Sequence, residues 1–406
     1  MSGMTQRHDV VIVGGGLVGA SLAIALDRLG IDVGLVEAAP PAAMPPVFDQ
    51  RNLSFAAATV NALTALGVMQ RLRNPAGPIR RIHISRQGDF GRVRLDAADY
   101  GRDSFGQVVV ARDFGEALEA RLGELRHVTR YRPARFVALE DGAVDTRRLR
   151  LAGEAGERCL EARLLVAADG TRSQLREALG IGVREHDYGQ TLFVARVRAE
   201  QAPDGTAYER FTTDGPTALL PRGDRHFGAV HGVPAHAAAD VAALDEAAWL
   251  ARLQVAFGWR LGRFLASGER SAYPISRVVA ERLIAPRAVL MGNAAQTLHP
   301  IGAQGFNLGL RDALTLAELL EAGGPDPGAA GLLQAYAQRR AEDRERTLAF
   351  SDGLARLTAN PAPLLRPLRS LGLAAMDRSP TLQAFLVGGA MGFRGDVPVL
   401  CREAAA

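Results

Sequence analysis

The sequence predicts an α/β fold with an inserted antiparallel sheet and a C-terminal helical segment, and three observations predict it. First, the apolar strand Asp9-Val10-Val11-Ile12-Val13 feeds the glycine run GGGLVG and then an apolar helix. Second, Arg287 to Met291 is another short apolar run, followed by GNAAQTLHPIGAQGFNLGLRD from Gly292 to Asp312. Third, between about Gly182 and Tyr273 apolar and polar residues alternate, as in antiparallel strands with unlike faces.

In chain order, Gly14, Gly16 and Gly19 satisfy G-x-G-x-x-G in the strand-turn-helix setting that this pattern needs. Gly14 permits the tight turn, Gly16 lets the backbone approach a pyrophosphate, and Gly19 allows helix and strand to pack closely. The helix runs through Ala23, Ala25, Leu26 and Leu29 to Gly30, a C-cap, and the next strand, Val33 to Val36, ends in Glu37. An acid there can accept from ribose hydroxyls. This Rossmann-like unit serves NAD and FAD alike, and the fingerprint does not choose between them.

Pro40, Pro41, Pro45 and Pro46 mark a loop leading to Arg51. Gln107 to Ala111 reads as a strand, and Arg112 to Leu125 as an amphipathic helix with Phe114, Leu118, Leu122 and Leu125 inward. Leu164 to Ala168 is a buried strand stopped by Asp169-Gly170, with a short helix over Ser173 to Leu179. Antiparallel strands follow at Thr191 to Arg198, Ala207 to Thr212, Ala218 to Pro221 and His226 to Val233.

After Met291, Pro300, Gly302 and Gly305 punctuate a turn, and Phe306 to Leu320 has helical periodicity. A helix start offers unpaired N–H groups and roughly half a positive charge, which suits an anion or the N1 and C2 carbonyl edge of a reduced flavin. No second G-x-G-x-x-G exists, so an NAD site at the N-terminus would leave Gly292 to Asp312 unexplained, whereas a tightly held FAD uses both segments. The chain stays helical beyond Asp312, broken at Gly323-Gly324-Pro325 and at Pro361 and Pro363. The apolar run Leu382 to Phe393 reads first as a core-packed helix, with a lid or a docking surface as alternatives.

The expected division is an FAD-binding domain in three parts (1–75, 101–181 and 277–350), a substrate domain in two parts (76–100 and 182–276), and a C-terminal helical segment (351–406).

Composition excludes several classes. All 48 basic residues are Arg and none is Lys, which removes Schiff-base and P-loop lysine chemistry. The net charge of +4 is modest and no nucleic-acid module is present; clusters such as Arg80-Arg81, Arg147 to Arg150 and Arg339-Arg340 read as solvated faces. Cys159 and Cys401 lack metal-ligand spacing and suggest no disulfide framework, so no metal is expected and a reducing cytoplasm fits. The N-terminus shows no signal h-region and no stretch reaches the roughly 18 apolar residues of a bilayer span. Any membrane contact is therefore expected to be peripheral.

Three separated elements, GGGLVG with Glu37, DGTRSQLR from Asp169, and GNAAQTLHPIGAQGFNLGLRD, together resemble the single-component flavin-dependent aromatic hydroxylases. Within them the chain is most similar to the ubiquinone-biosynthesis hydroxylases, in particular the polyprenyl-methoxyphenol 4-hydroxylase branch. Weaker support comes from FTTDGPTALLP (Phe211 to Pro221), Tyr273-Pro274, and Tyr336 to Arg340 with Asp343.

The resemblance implies that Gly14, Gly16, Gly19 and Glu37 hold the ADP half of FAD, with Arg51 and Arg112 near its phosphates, ribityl chain or adenine. Asp169 would touch FAD and the passing nicotinamide cofactor, against the plainer reading of a helix-capping Asp-Gly turn. Asn293 stands where most relatives carry an Asp that bonds the ribityl chain, and Gln296 where many carry His. Pro300, Gly302, Gly305, Phe306 and Asn307 would line the flavin. His231, at the end of a strand, would face the substrate with Tyr208 and Leu220, and His299 is a candidate proton handler.

The implied reaction is hydroxylation of a polyprenylated methoxyphenol ring carbon in ubiquinone biosynthesis: NAD(P)H or another donor reduces FAD, O₂ adds to give a flavin hydroperoxide, and one oxygen passes to the ring. The implied setting is cytoplasmic, peripheral to the inner membrane, with contact to that membrane or to a biosynthetic complex. Two alternatives stay open: the same chemistry on a small soluble aromatic acid, which needs a pocket Arg or Tyr for the carboxylate, and a non-catalytic flavin-holding component of an assembly.

Overall fold

The computed structural model describes residues 6–41, 43–44, 49–154, 156–359 and 365–402. Pro45, Pro46, Pro361, Pro363 and the first five residues, all used in the sequence reading, lie outside the described residues.

The main sheet is ordered Ile284–Ala285, Ala288–Leu290, Gly156–Ala167, Gln6–Val13, Val33–Val36, Val128–Tyr131. Its centre is parallel: Val10 lies opposite Leu164 on one side and Val33 on the other. Strands covered on both faces need apolar residues at consecutive positions, which is why Val10 to Val13 are all at most 4% exposed. Ala134–Glu140 and Arg147–Gly153 extend Gly156–Ala167 as an antiparallel meander. The helix Leu17–Asp27 packs against the helices Ala111–Leu122 and Gln304–Ala322.

A second sheet of nine strands runs Gln296–Thr297, Ser271–Ala280, Val183–Ala199, Phe227–Pro234, Pro216–Pro221, Thr206–Phe211, Arg81–Arg86, Arg92–Asp96, with Phe264–Ser267 beside Val183–Ala199. The helix Glu246–Phe257 covers one face, where Phe193, Ala195, Val197, Leu219 and Phe227 bury against Trp249, Leu253 and Phe257. On the opposite face Phe211 packs with Ile301, and Leu220 lies in a cluster with Val387 and Met391. Because Gln296–Thr297 pairs with Val278 and Val279, the glycine-rich segment after Met291 is itself the edge of this second sheet.

Several sequence expectations are corrected. The late helix begins at Gln304, so Gly305 lies in its first turn and the left-handed turn is made by Gly302 (φ 75°) and Ala303 (φ 51°). The helix expected to Leu125 ends at Leu122 on Gly123. The apolar run near the C-terminus forms the helix Pro380–Ala390, which is packed on one side only: Val387 is buried while Leu382 and Phe385 are exposed.

Arg340 is not on a solvated face. It is fully buried, donating to Asp312 at 2.7 Å and to Asp343 at 2.7 Å. Arg311 also donates to Asp343, Gln296 donates to Asp312, and Arg344 donates to Gln296. Burial alone would push the Asp343 carboxyl up, but Arg311 and Arg340 overcome this and hold it well below the usual carboxylate range. The cluster ties Gln304–Ala322 to the following helix Ala330–Ala359 and to the edge strand at Gln296. Arg340→Ala leaves two buried carboxylates short of a partner and should cost about 3–5 kcal/mol, read as a lowered denaturant midpoint. A midpoint within error of the wild type would contradict this account.

Candidate active site

The three separated motifs meet at the carboxyl ends of the parallel strands. Gly14 has φ 108°, and a Cβ there would lie 2.4 Å from the Ala168 carbonyl oxygen and 2.8 Å from the Asp169 nitrogen. A Cβ on Gly19 would sit 1.9 Å from the Gly14 oxygen, so close packing of helix on turn requires glycine. A Cβ on Gly292 would lie 3.0 Å from Val18 in the first helix, and one on Gly309 would lie 2.7 Å from the same side chain. The first glycine turn, the Asp169 turn and the late segment are thus in direct contact.

Both helices that start here are uncapped. Leu17–Asp27 begins on Gly16 and Gln304–Ala322 on Ala303, in each case without a side-chain cap, so the first N–H groups of both helices are available. Two helix starts with free donors fit an FAD that brings a pyrophosphate to one and the flavin N1–C2 edge to the other. Glu37 accepts from Gly15 N–H at 2.9 Å and from Ala39 N–H at 2.7 Å, which fixes its carboxylate at the end of the second strand beside the glycine turn.

The remaining cofactor candidates divide by where their side chains point. Asn293 is exposed, with no side-chain partner among the described residues, and Pro300 is exposed beside it in the loop. Phe306 instead packs on Phe55 and Phe114, with both centroid separations 5.3 Å, and the buried Asn307 donates to the Ser54 and Ala303 carbonyls and accepts from Ala56 N–H. Their side chains hold the helix to strand Asn52–Ala56, leaving their backbone toward the loop.

Arg51 pairs bidentately with Asp49 and stacks 4.4 Å over the Tyr273 ring, whose hydroxyl also donates to Asp49. Burial would push the Asp49 carboxyl up, but the bonds from Arg51 and Tyr273 bring it below its ordinary value. Arg112 has an exposed side chain, and its backbone N–H donates to the Asp49 carbonyl at 2.9 Å. Asp169 accepts from the Ser173 hydroxyl and from Leu175 N–H, the geometry of a helix-capping turn. Burial pushes its carboxyl up against those bonds.

Sequence reasoning missed the residue that joins two motifs. Arg176, buried within DGTRSQLR, donates to the Thr171 carbonyl at 3.1 Å and to the Ala294 carbonyl at 3.0 Å. Its signal was present, because an Arg on the otherwise apolar side of a short helix needs acceptors from elsewhere. The Gln296 side chain, considered as a stand-in for a cofactor-facing His, is turned into the Arg340 cluster.

Of the substrate candidates, Leu220 lies on the sheet face toward the late loop. Tyr208 and His231 do not, because strand alternation turns them to the other face. Tyr208 packs edge-on to Phe257 at 5.4 Å, and His231 lies 5.7 Å from Trp249 with Thr217 at 2.9 Å and Arg252 at 3.0 Å on its ring nitrogens. The expectation that these two side chains face substrate is corrected accordingly. His299 is 1% exposed; Ile301 N–H donates to its Nδ1 at 3.2 Å, and its ring packs edge-on to Tyr188 at 4.8 Å.

Burial lowers both His231 and His299 to about 4. Values below the ordinary histidine range mean that the unfolded chain takes up protons first on acidification, so this stability is complete above about pH 6.5 and is lost towards pH 4. The denaturant midpoint should fall across that window, and the double variant His231→Gln, His299→Gln should flatten the fall. An unchanged slope in the double variant would reject this assignment.

A model of the FAD binding domain family matches residues 7–351. The chain is 35% identical over 391 residues to ubiquinone hydroxylase UbiL of Rhodospirillum rubrum, covering 95% of this chain and 89% of that protein. It is 33% identical to the 3-demethoxyubiquinol 3-hydroxylase of Escherichia coli, covering 95% of this chain and 99% of that one. The crystal structure of p-nitrophenol 4-monooxygenase PnpA from Pseudomonas putida superposes with a TM-score of 0.78 at 19% identity, over 96% of this chain and 100% of that one, a likeness of fold. With these relatives and a site that fits FAD, the chain belongs to the FAD-dependent aromatic-ring monooxygenases, in the family of the ubiquinone-biosynthesis hydroxylases.

Proposed function

We propose that the chain hydroxylates a polyprenylated methoxyphenol at a ring carbon in ubiquinone biosynthesis, with the 4-position as the site of attack. FAD, reduced by NAD(P)H, supplies the activation of O₂ and the transfer of one oxygen atom. The protein's part is to hold the flavin between two helix starts, to orient the ring and to keep water away.

The observation that carries this reading is the chemistry of the sheet face turned to the late loop. Its central row, by register, is Ile84, Glu209, Ala218, Val230 and Val194. The row carries apolar side chains and one carboxyl, and the cation beside it on this face, Arg86 opposite Phe211, is buried against Asp89 rather than presented to the carboxylate of a small aromatic acid. Arg210 and Arg252, which could have met one, point to the opposite face, where Arg210 donates to the Ala256 carbonyl and Arg252 to His231. A neutral phenol with a long apolar tail suits such a wall, and a benzoate does not.

The terminal helices support the same substrate class. Leu368 and Leu371 on Leu365–Arg378, and Leu382 and Phe385 on Pro380–Ala390, are exposed, while their partners Leu373, Met376 and Val387 pack in the cluster that contains Leu220. The exposed Arg378 and Arg394 lie in the same region, with Arg394 stacked 3.8 Å from the Phe385 ring. No described helix is long and apolar enough to cross a membrane. We therefore place this surface against an anionic bilayer, from which a prenylated substrate is drawn.

Purified holoenzyme supplied with NAD(P)H, O₂ and 2-methoxy-6-prenylphenol should yield a product bearing one additional oxygen at the 4-position, identified by mass and NMR spectra. NAD(P)H oxidation stimulated by benzoates and unaffected by the prenylphenol would reject the reading in favour of a small soluble acid.

A further inference from the structure

Glu209 is the one acidic residue in the central row of the sheet face just described. It is half-buried, and among the described residues no hydrogen bond or ion pair reaches its carboxylate. Its neighbours across the sheet are Ile84 and Ala218, and along the strand on the same face Ala207 and Phe211. Phe211 packs on Ile301 in the loop that opens the late helix. Its carboxyl is thus desolvated by the atoms around it while the residue keeps some exposure to solvent.

The surrounding charges do not account for it. The titratable groups on the elements packed around Phe211 and Ile301 are committed elsewhere: Arg86, opposite Phe211 on this same face, lies 3.9 Å from Asp89, the Tyr188 hydroxyl donates to Asp352, Arg277 and Arg356 pair with Asp352, and His299 is neutral and bound by Ile301 N–H. Arg81, on the neighbouring strand, pairs with Asp204, and Arg210, next in sequence, points to the opposite face. Arg92, Arg94 and His83 share that opposite face with Tyr208, as the pairing of His83 with Tyr208 and Arg94 requires. Burial alone pushes the Glu209 carboxyl up to about 7. It can therefore exchange a proton near neutral pH, and no group among the described residues bonds to it.

We propose that Glu209 binds the ring hydroxyl of the phenol substrate and accepts its proton as the ring carbon is oxygenated. This rests on the substrate reading above and names the residue that recognises the hydroxyl. The O–H bond breaks with its electron pair left on the phenol oxygen, an O–H bond forms on the Glu209 carboxylate, and no redox change occurs at the residue. The released electron pair feeds into the ring and makes the carbon para to the oxygen a better nucleophile, which is the position assigned above. Ring hydrogen lost on rearomatisation then passes to solvent, and Glu209 returns its proton to the phenol oxygen.

The test uses FAD-loaded protein and two probes, 2-methoxy-6-prenylphenol and its O-methyl ether, with binding followed by the change in flavin absorbance. Glu209→Leu should bind the phenol about tenfold or more weakly, the scale of a hydrogen bond to a charged group, with ether binding unchanged or tighter. Glu209→Gln, which keeps an acceptor but loses the base, should bind the phenol within a few-fold of wild type and lose about a hundredfold in kcat. The rise of wild-type kcat/KM through about pH 7 should be absent in that variant. Retained FAD absorbance in both variants shows that they fold. If the wild type binds the phenol and both variants match it in affinity, kcat and pH profile, this inference is overturned while the substrate reading stands. If the wild type binds neither probe, both fall together.

Discussion

The arrangement depends first on a buried cluster of charges. Arg340 is held between Asp312 and Asp343, with Arg311 on the second carboxylate and Gln296 on the first. Charges taken out of water are tolerated only when each is met by an opposite charge with good geometry, so the cluster allows few alternative packings of its members. Asp312 lies on the late helix, Arg340 and Asp343 on the next, and Gln296 on the edge strand of the second sheet. One set of ion pairs thereby fixes the direction in which the helix at Gln304 presents its N-terminus. A rigid helix start is useful because dipoles stabilise a charge at least cost when they need not reorient.

Close backbone approach does the corresponding work at the other end of the site. The places where Cβ atoms of Gly14, Gly19, Gly292 and Gly309 would lie are occupied by the backbone of Ala168 and Gly14 and the side chain of Val18. These contacts bring segments about 150 and 280 residues apart against one turn. The orientation of the second sheet follows from the same join, since Gln296–Thr297 is hydrogen-bonded to it through Val278 and Val279. The late loop and the second sheet are parts of one ladder, and so their separation is set by the backbone.

What could be read in the sequence follows from how local its cause is. The strand, glycine turn and helix around Gly14 arise within a few residues, so the pattern determines them. Alternation in Thr206–Phe211 and Phe227–Pro234 announces two faces, but which face meets the late loop depends on the helix Glu246–Phe257, whose Trp249 and Phe257 claim Tyr208 and His231. Arg340 reads as a surface cation because its partner Asp312 lies on another helix, and the Asp343 three residues on is equally compatible with an exposed helix pair. Arg176 is similar: only the fold brings the Ala294 carbonyl within 3.0 Å.

The two faces of the second sheet show opposite treatments of polar groups, and the contrast bears on function. On the face under the helix, His231 is fully enclosed and each ring nitrogen is met, by Thr217 and by Arg252, as a buried group in a structural core must be. On the other face Glu209 has no such partner among the described residues, although an aliphatic residue in the row of Ile84, Ala218 and Val230 would avoid the cost of desolvating a carboxyl. A fold optimised for stability alone would not hold this carboxyl beside the loop that carries Ile301. Local departures from packing rules concentrate at sites that must receive something from outside the chain. On the reading proposed above, the partner missing from Glu209 is supplied by a ring hydroxyl that arrives with its apolar tail, and the phenol completes the wall on which it lies.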